Sequence, residues 1–341
     1  MKVLIIKTSS LGDILHTLPA LTDAAAAING IRFDWIAEEG FQEIPTWHPA
    51  VNKVIPVGLR RWRKNILKTI WSGEWSVFKH QLRSEKYHCV IDAQGLIKSA
   101  LLTRYVTAPV HGFDKKSIRE PVASYAYSHR HNVSKKQHAI ERTRQLFAAS
   151  LKYSAPLSPG QFNLPSDRFS HLVLPNVVTK NSTKPALIFL HGTTRKEKHW
   201  SVANWCKLVT IAEQNGFVIY LPWGNEQEQQ RAELIAASGQ NTFVLPRLNL
   251  EHLAAALLQA QAVVAVDSGP GHLTAALNIP AISLYGPTCP KLIGTYGTNQ
   301  IHLTCKDYSA DANKHETDLT KTTLLTPERV WSELNKHCLQ P

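Results

Sequence analysis

Asp267-Ser268-Gly269-Pro270-Gly271-His272-Leu273-Thr274-Ala275-Ala276-Leu277 follows the apolar stretch Ala262 to Val266, and the two together read as a strand that breaks through a glycine turn into a helix. Such a corner binds anions. The first backbone N–H groups of a helix lack intrahelical partners, and the helix dipole adds partial positive charge there, so a phosphate is held without a metal ion. Glycine lets the ligand come close to the backbone. Asp267 at the strand end, Ser268 and Gly269 at the helix start, and His272 in the first turn would all meet one ligand at the carboxyl edge of a parallel sheet. A structural turn with a capping aspartate fits the same residues.

Working outward, the second half repeats strand and helix signals around this corner. Ala186 to Leu190 is a strand, His191-Gly192-Thr193-Thr194 a turn, and Val202 to Asn215 a helix; further strands are expected at Phe217 to Leu221, Thr242 to Leu245 and a segment ending Ile282-Ser283-Leu284-Tyr285. The first half has the same plan. Lys2 to Lys7 is a strand, Thr8 to Asp13 a turn and Ile14 to Ala27 a helix, followed by strands at Phe33 to Ala37, Val54 to Val57 and Cys89 to Asp92, then a helix near Lys98 to Tyr105. Strands alternating with helices predict α/β architecture, here two doubly wound Rossmann-like domains facing each other across a cleft. The expected boundaries are 1–165 for the first domain, 166–185 for a proline- and serine-containing linker, 186–320 for the second domain, and 321–341 for a terminal helix returning to the first.

The chain has 341 residues, 43% of them apolar, enough for two cores. It contains no 18-residue apolar run, and its N-terminus lacks a signal sequence, so a cytoplasmic protein is expected. Five scattered cysteines without a C-x-x-C pair argue against a disulfide framework or a zinc site. Charge is uneven. Residues 1–150 hold 22 lysines and arginines against 12 acidic residues, a net of +10, whereas residues 151–341 hold 16 against 14, a net of +2. An anionic partner should meet the first half. The basic residues sit beside tryptophans and not in a nucleic-acid reader motif, which argues against nucleic acid as that partner.

Five motifs in order carry a family resemblance: Lys7-Thr8-Ser9-Ser10-Leu11-Gly12-Asp13; Arg60-Arg61-Trp62-Arg63-Lys64; His191-Gly192-Thr193-Thr194-Arg195 with Lys198-His199-Trp200; Pro222-Trp223-Gly224; and Asp267 to Leu277 followed by Tyr285-Gly286-Pro287-Thr288. The chain resembles the lipopolysaccharide heptosyltransferases over nearly its whole length, with the branch that adds the first heptose as the best fit. Ser268 stands where threonine is common, and Pro270-Gly271 resembles other branches. The resemblance implies GT-B architecture and an inverting, metal-independent enzyme without a cofactor. Its donor would be ADP-L-glycero-β-D-manno-heptose, its acceptor the Kdo of Kdo-lipid A, and its working place the anionic cytoplasmic face of the inner membrane. Addition of a second heptose, and nucleotide-sugar epimerisation, are the competing readings.

The chain has no D-x-D metal motif, so fixed donors must stabilise the leaving diphosphate. The resemblance assigns donor binding to Thr193, Thr194 and Lys198, the ribose to Glu228 and the adenine face to Leu248; read alone, Lys198 is a solvated cation and Glu228 an exposed helix glutamate. Asp13 is a helix cap on its own evidence and a general base by resemblance; His16 follows one turn on. Arg60, Arg61, Arg63 and Lys64 would clamp the anionic acceptor, with Lys98 and Arg119 alongside. The segment continuing through Ile66, Leu67, Ile70, Trp71, Trp75, Phe78 and Leu82 is either a membrane-resting surface or a helix packed on its core.

Overall fold

The computed structural model describes residues 1–65, 71–176, 178, 183–305, 318–320 and 322–339. The chain divides into two compact units, Met1–Pro165 and Ser166–Pro341. In the first, β1 (Lys2–Ile6), β2 (Arg32–Glu38), β3 (Val51–Val57), β4 (Cys89–Asp92), β5 (Val110–Phe113) and β6 (His129–His131) form one parallel sheet in the order β3-β2-β1-β4-β5-β6. In the second, β7 (Ala186–Leu190), β8 (Val218–Leu221), β9 (Thr242–Val244), β10 (Ala262–Val266), β11 (Ala281–Tyr285) and β12 (Gln300–Thr304) form another, ordered β12-β11-β10-β7-β8-β9. Counted from each unit's own first strand, the two orders are the same. Both reverse direction between the first and fourth strands, and open α/β sheets bind ligands in the crevice at that point. Strands β1, β7 and β10 are apolar runs because helices cover both faces of such a sheet; Val3 to Ile6 and all of β10 are buried.

The helix expected over 14–27 is two helices, Leu11–Leu15 and Leu18–Ala27. Pro19 decides this. A continuous helix would set its ring against the carbonyl of Leu15, whereas the first turn of a new helix has no use for the missing N–H. The helix expected at 98–105 runs over Ile97–Leu102 and tightens into a 3₁₀ turn, Thr103–Tyr105.

The start of the expected linker is part of the second unit: Phe169 is buried and Arg168 pairs with Glu251 at 3.0 Å. The terminal helix, Pro327–Leu334, differs from expectation as well. Val330 and Leu334 lie in the core of the second unit with Leu187, Trp200 and Trp205, and Trp200 Nε1 donates to the Leu325 carbonyl at 3.0 Å. Its apolar stripe is satisfied by the helix Val202–Gln214, which it packs against. No helix among the described residues is long and apolar enough to cross a membrane.

Candidate active site

In the first unit the reversal point is walled by the turns after β1 and β4. Ser10 opens the helix Leu11–Leu15, and Asp13 occupies its third position, where Oδ2 accepts the Ser10 N–H at 2.8 Å and the Ser10 hydroxyl at 2.9 Å. Asp13 therefore closes a capping box from inside the helix and is not itself the cap. Its Oδ1 lies 3.9 Å from Lys7 Nζ, and the side chain remains 45% exposed. Lys7 is fixed in turn by the Ala93 carbonyl at 2.9 Å. His16 is buried with its ring edge-on to His138.

Gln94 is the residue the sequence reading missed. Its Oε1 accepts the backbone N–H groups of Thr8 at 2.9 Å and Ser9 at 3.2 Å, stitching the two turns together. Asp92 holds Gln94 in place: one carboxylate oxygen accepts the N–H groups of Gln94 and Gly95, and the other accepts the hydroxyls of Ser99 and Tyr127. Burial pushes the Asp92 carboxyl up, against the pull of those bonds. The signal was a polar residue between a strand-ending aspartate and a glycine, whose partner lies 86 residues away.

The basic segment is divided in its roles. Arg61 is bound by Glu39 and Glu74, both at 2.6 Å, and Trp62 Nε1 donates to Glu74 at 2.8 Å. Hydrogen bonds from Arg61 and Trp62 hold the Glu74 carboxyl down to about 2. The Arg60 guanidinium lies over the Phe41 ring at 5.7 Å. Arg63 and Lys64 are exposed, as are Lys98 and Arg119. Trp62, Phe78 and Leu82 are buried and Trp62, Trp75 and Phe78 contact one another, which is the packed-helix reading; Trp71 is exposed. Ile66, Leu67 and Ile70 lie outside the described residues.

In the second unit the turns after β7 and β10 meet in the same way. Thr193 Oγ1 donates to the Asp267 carbonyl at 3.0 Å, and Lys198 Nζ reaches Asp267 Oδ2 at 2.6 Å with both side chains largely buried. His272 Nε2 lies 4.0 Å from the other Asp267 oxygen. Ser268 caps the helix Gly269–Ala276 by position only: its hydroxyl is buried and makes no hydrogen bond. A buried hydroxyl without a partner costs about 1–3 kcal/mol. Thr194 is exposed and Leu248 is half-buried in the loop after β9.

Glu228 accepts the Gly224 N–H at 2.8 Å, and its own N–H is capped by Asn225. Gly192 lies close beside it: a methyl group there would stand 2.6 Å from the Glu228 carboxyl carbon, so the glutamate side chain would have to shift. The donor-side residues proposed from sequence thus fall on consecutive turns of one sheet edge. Among the described residues, no group of three or more histidine, cysteine, aspartate or glutamate side chains is placed to hold a metal ion.

A model of glycosyltransferase family 9 (heptosyltransferase) matches residues 75–324. The chain belongs to this family. It is similar to the lipopolysaccharide heptosyltransferase 1 of Pseudomonas aeruginosa, at 48% identity covering 100% of this chain and 99% of that protein. The corresponding protein of Salmonella typhimurium is 50% identical over 88% of this chain and 93% of its own length. Among solved structures, E. coli heptosyltransferase WaaC with ADP superimposes with a TM-score of 0.87 at 45% identity, covering 99% of this chain and all of that one. The family resemblance and the GT-B type α/β fold read from the sequence stand, and this family-9 chain is a glycosyltransferase.

His191, at the end of β7, gives the second unit a pH dependence. Burial first, then the neighbouring charges of Arg231 and His199, push its imidazole down to about 3. Unfolded, it would titrate near 6.5. Between those values the unfolded chain binds a proton that the folded one refuses, so this contribution to stability is complete above about pH 6.5 and is lost as pH falls toward 3. Melting temperature measured across pH 4 to 7 should fall on the acid side, and His191→Asn should flatten that slope; an unchanged slope would remove His191 from the explanation.

Proposed function

We propose that this protein transfers L-glycero-D-manno-heptose from ADP-L-glycero-β-D-manno-heptose to the Kdo of Kdo-lipid A, with inversion, at the anionic cytoplasmic surface of the inner membrane. The observation that carries the reading is the cluster of Lys198, Asp267, Thr193 and the unpartnered Ser268 hydroxyl at the start of the helix Gly269–Ala276. An ammonium, hydroxyls and free N–H groups converging on one sheet edge suit a diphosphate. End-to-end similarity to heptosyltransferase 1 relatives at 48%, against 24% for heptosyltransferase 2 of E. coli, supports the first-heptose acceptor.

In this mechanism Asp13 takes the proton of an acceptor hydroxyl as that oxygen bonds to the anomeric carbon, and the bond from that carbon to the diphosphate oxygen breaks. ADP leaves with the electron pair, and inversion turns the β-linked donor into an α-linked product. Lys198, Thr193, Thr194 and Ser268 meet the charge that grows on the diphosphate. Glu228 takes the ribose hydroxyls and Leu248 packs on adenine. Arg60, Arg63, Lys64, Lys98 and Arg119 hold the acceptor's carboxylates and phosphates, while Arg61 secures the helix Leu59–Lys64 through its two glutamates. Incubation with ADP-heptose and Kdo-lipid A in excess chelator should release ADP and a heptosylated product detectable by mass spectrometry. No product under these conditions, with product restored by magnesium, would overturn the metal-independent assignment.

Replacing Arg60, Arg63 and Lys64 together by alanine should raise acceptor KM by about tenfold, since three exposed charge contacts at about 0.5 kcal/mol each come to about 1.5 kcal/mol. ADP affinity, read by calorimetry, should not change. Raising ionic strength should mimic the variant in the native protein, because screening weakens exposed charges. An equal loss of ADP affinity would make the segment a fold determinant.

A further inference from the structure

Exposed apolar side chains are gathered on one face of the first unit. The helix Ile97–Leu102 exposes Ile97 (46%) and Leu101 (49%), four residues apart, and the 3₁₀ segment Pro121–Ala126 exposes Val122 (63%) and Tyr125 (64%), three apart. The two elements pack together and are tied by the Ile97 N–H, which donates to Glu120 Oε2 at 2.7 Å. Their opposite sides already fill the core through Ala100, Leu102 and Ala123. The four side chains nevertheless keep about half or more of their surface open to solvent, and grouped apolar exposure marks an interaction surface where single residues would not.

The surrounding charge selects the partner. Between Ala93 and His131 the chain holds six lysines and arginines against Asp114 and Glu120. Glu120 is spent on the Ile97 N–H, and Asp114 accepts from Asn132 and from backbone N–H groups of its own turn. Lys98, Arg104, Arg119 and Arg130 are exposed, and the Arg130 guanidinium lies over the Tyr125 ring at 5.8 Å. Aliphatic side chains ringed by cations, with an aromatic ring carrying a polar tip, match the boundary of an anionic bilayer.

We propose that this face, the helix Ile97–Leu102 with the segment Pro121–Ala126, seats the protein on an anionic lipid bilayer. The inference rests on the acceptor reading above for its purpose: the two elements begin beside the turn after β4, at the sheet edge that carries the Asp13 turn, and a bilayer under them presents a lipid-anchored glycan near that edge. The apolar residues enter the headgroup layer and Arg104 and Arg130 meet lipid phosphates, while Lys98 and Arg119 keep their place at the acceptor.

The test is co-sedimentation of the full chain with vesicles of phosphatidylcholine alone and of phosphatidylcholine mixed with phosphatidylglycerol. The native protein should bind the mixed vesicles and release with salt. The quadruple variant Ile97→Ser, Leu101→Ser, Val122→Ser, Tyr125→Ser should lose about tenfold in partitioning, while its kcat/KM on a water-soluble, deacylated acceptor and its melting temperature match the native protein. The pair Val122→Ser, Tyr125→Ser gives the same comparison with half the change should the quadruple variant fail to fold. Native protein that ignores anionic vesicles at low salt, or variants that bind them as tightly as native, would overturn the proposal and point to an acidic protein as the partner. Binding is scored without turnover, so an error in the acceptor reading shows separately, as no heptosylated product from the soluble acceptor.

Discussion

Asp13→Asn should lower turnover by about 10²- to 10⁴-fold, the range for removing a general base, with ADP affinity unchanged. Asparagine is the informative replacement because the carboxylate has two duties. Its Oδ2 closes the capping box by accepting the Ser10 N–H and hydroxyl, and an amide oxygen does that equally well. What is lost is the capacity to take a proton, together with the negative charge that faces Lys7 Nζ at 3.9 Å. Asp13→Ala would remove both duties and confound the result with about 0.5–2 kcal/mol of lost helix-end stability. Single-turnover rates with donor and acceptor saturating, alongside calorimetric ADP affinity and thermal melting, separate the contributions. Near-native turnover in a variant that melts normally would reduce Asp13 to its capping role.

Lys198→Ala should cost about 2–4 kcal/mol in kcat/KM, as for other fixed donors that meet charge developing in a transition state. The loss has two sources. The ammonium that would face the diphosphate disappears, and Asp267, now paired at 2.6 Å and largely buried, is left as an uncompensated negative charge beside the same diphosphate. That second source makes a further result specific: Lys198→Ala combined with Asp267→Asn should recover part of the activity lost in Lys198→Ala alone, because the repulsive charge is gone. A double-mutant cycle on kcat/KM measures the coupling directly. If the double variant loses activity additively, Lys198 and Asp267 act independently and the pair is not the diphosphate's electrostatic frame.

Much of the candidate site was legible because its signals are local. A strand ending in Asp267 before Ser268-Gly269 reads as a candidate anion-binding corner from local sequence alone, since free N–H groups and the helix dipole belong to the helix start itself. The capping duty of Asp13 was legible in kind and wrong in position, because a capping box uses both ends of a four-residue span and the sequence Ser10-Leu11-Gly12-Asp13 permits either reading. Arg61 shows where local reading stops. Four cations in five residues look equivalent on paper, yet one of them is committed to Glu39 and Glu74, 22 and 13 residues away. Gln94 has only its place between Asp92 and Gly95 as a local signal and gains its role from the Thr8-Ser9 backbone on the neighbouring strand's turn.

By itself the sequence determined two doubly wound units, the turns that carry the candidate site, the basic character of the first unit and the family. Apolar runs specify buried strands, glycine and serine specify the corners after them, and neither depends on distant residues. The tertiary structure decided which turns meet. Sheet order sets β1 against β4 and β7 against β10, and with it the contacts of Gln94 with the Thr8-Ser9 backbone and of Lys198 with Asp267 across 69 residues. It also decided that the final helix fills the second core. Such pairings follow from how helices pass between strands and which apolar faces are covered, quantities that belong to the whole sheet and to no single stretch of chain.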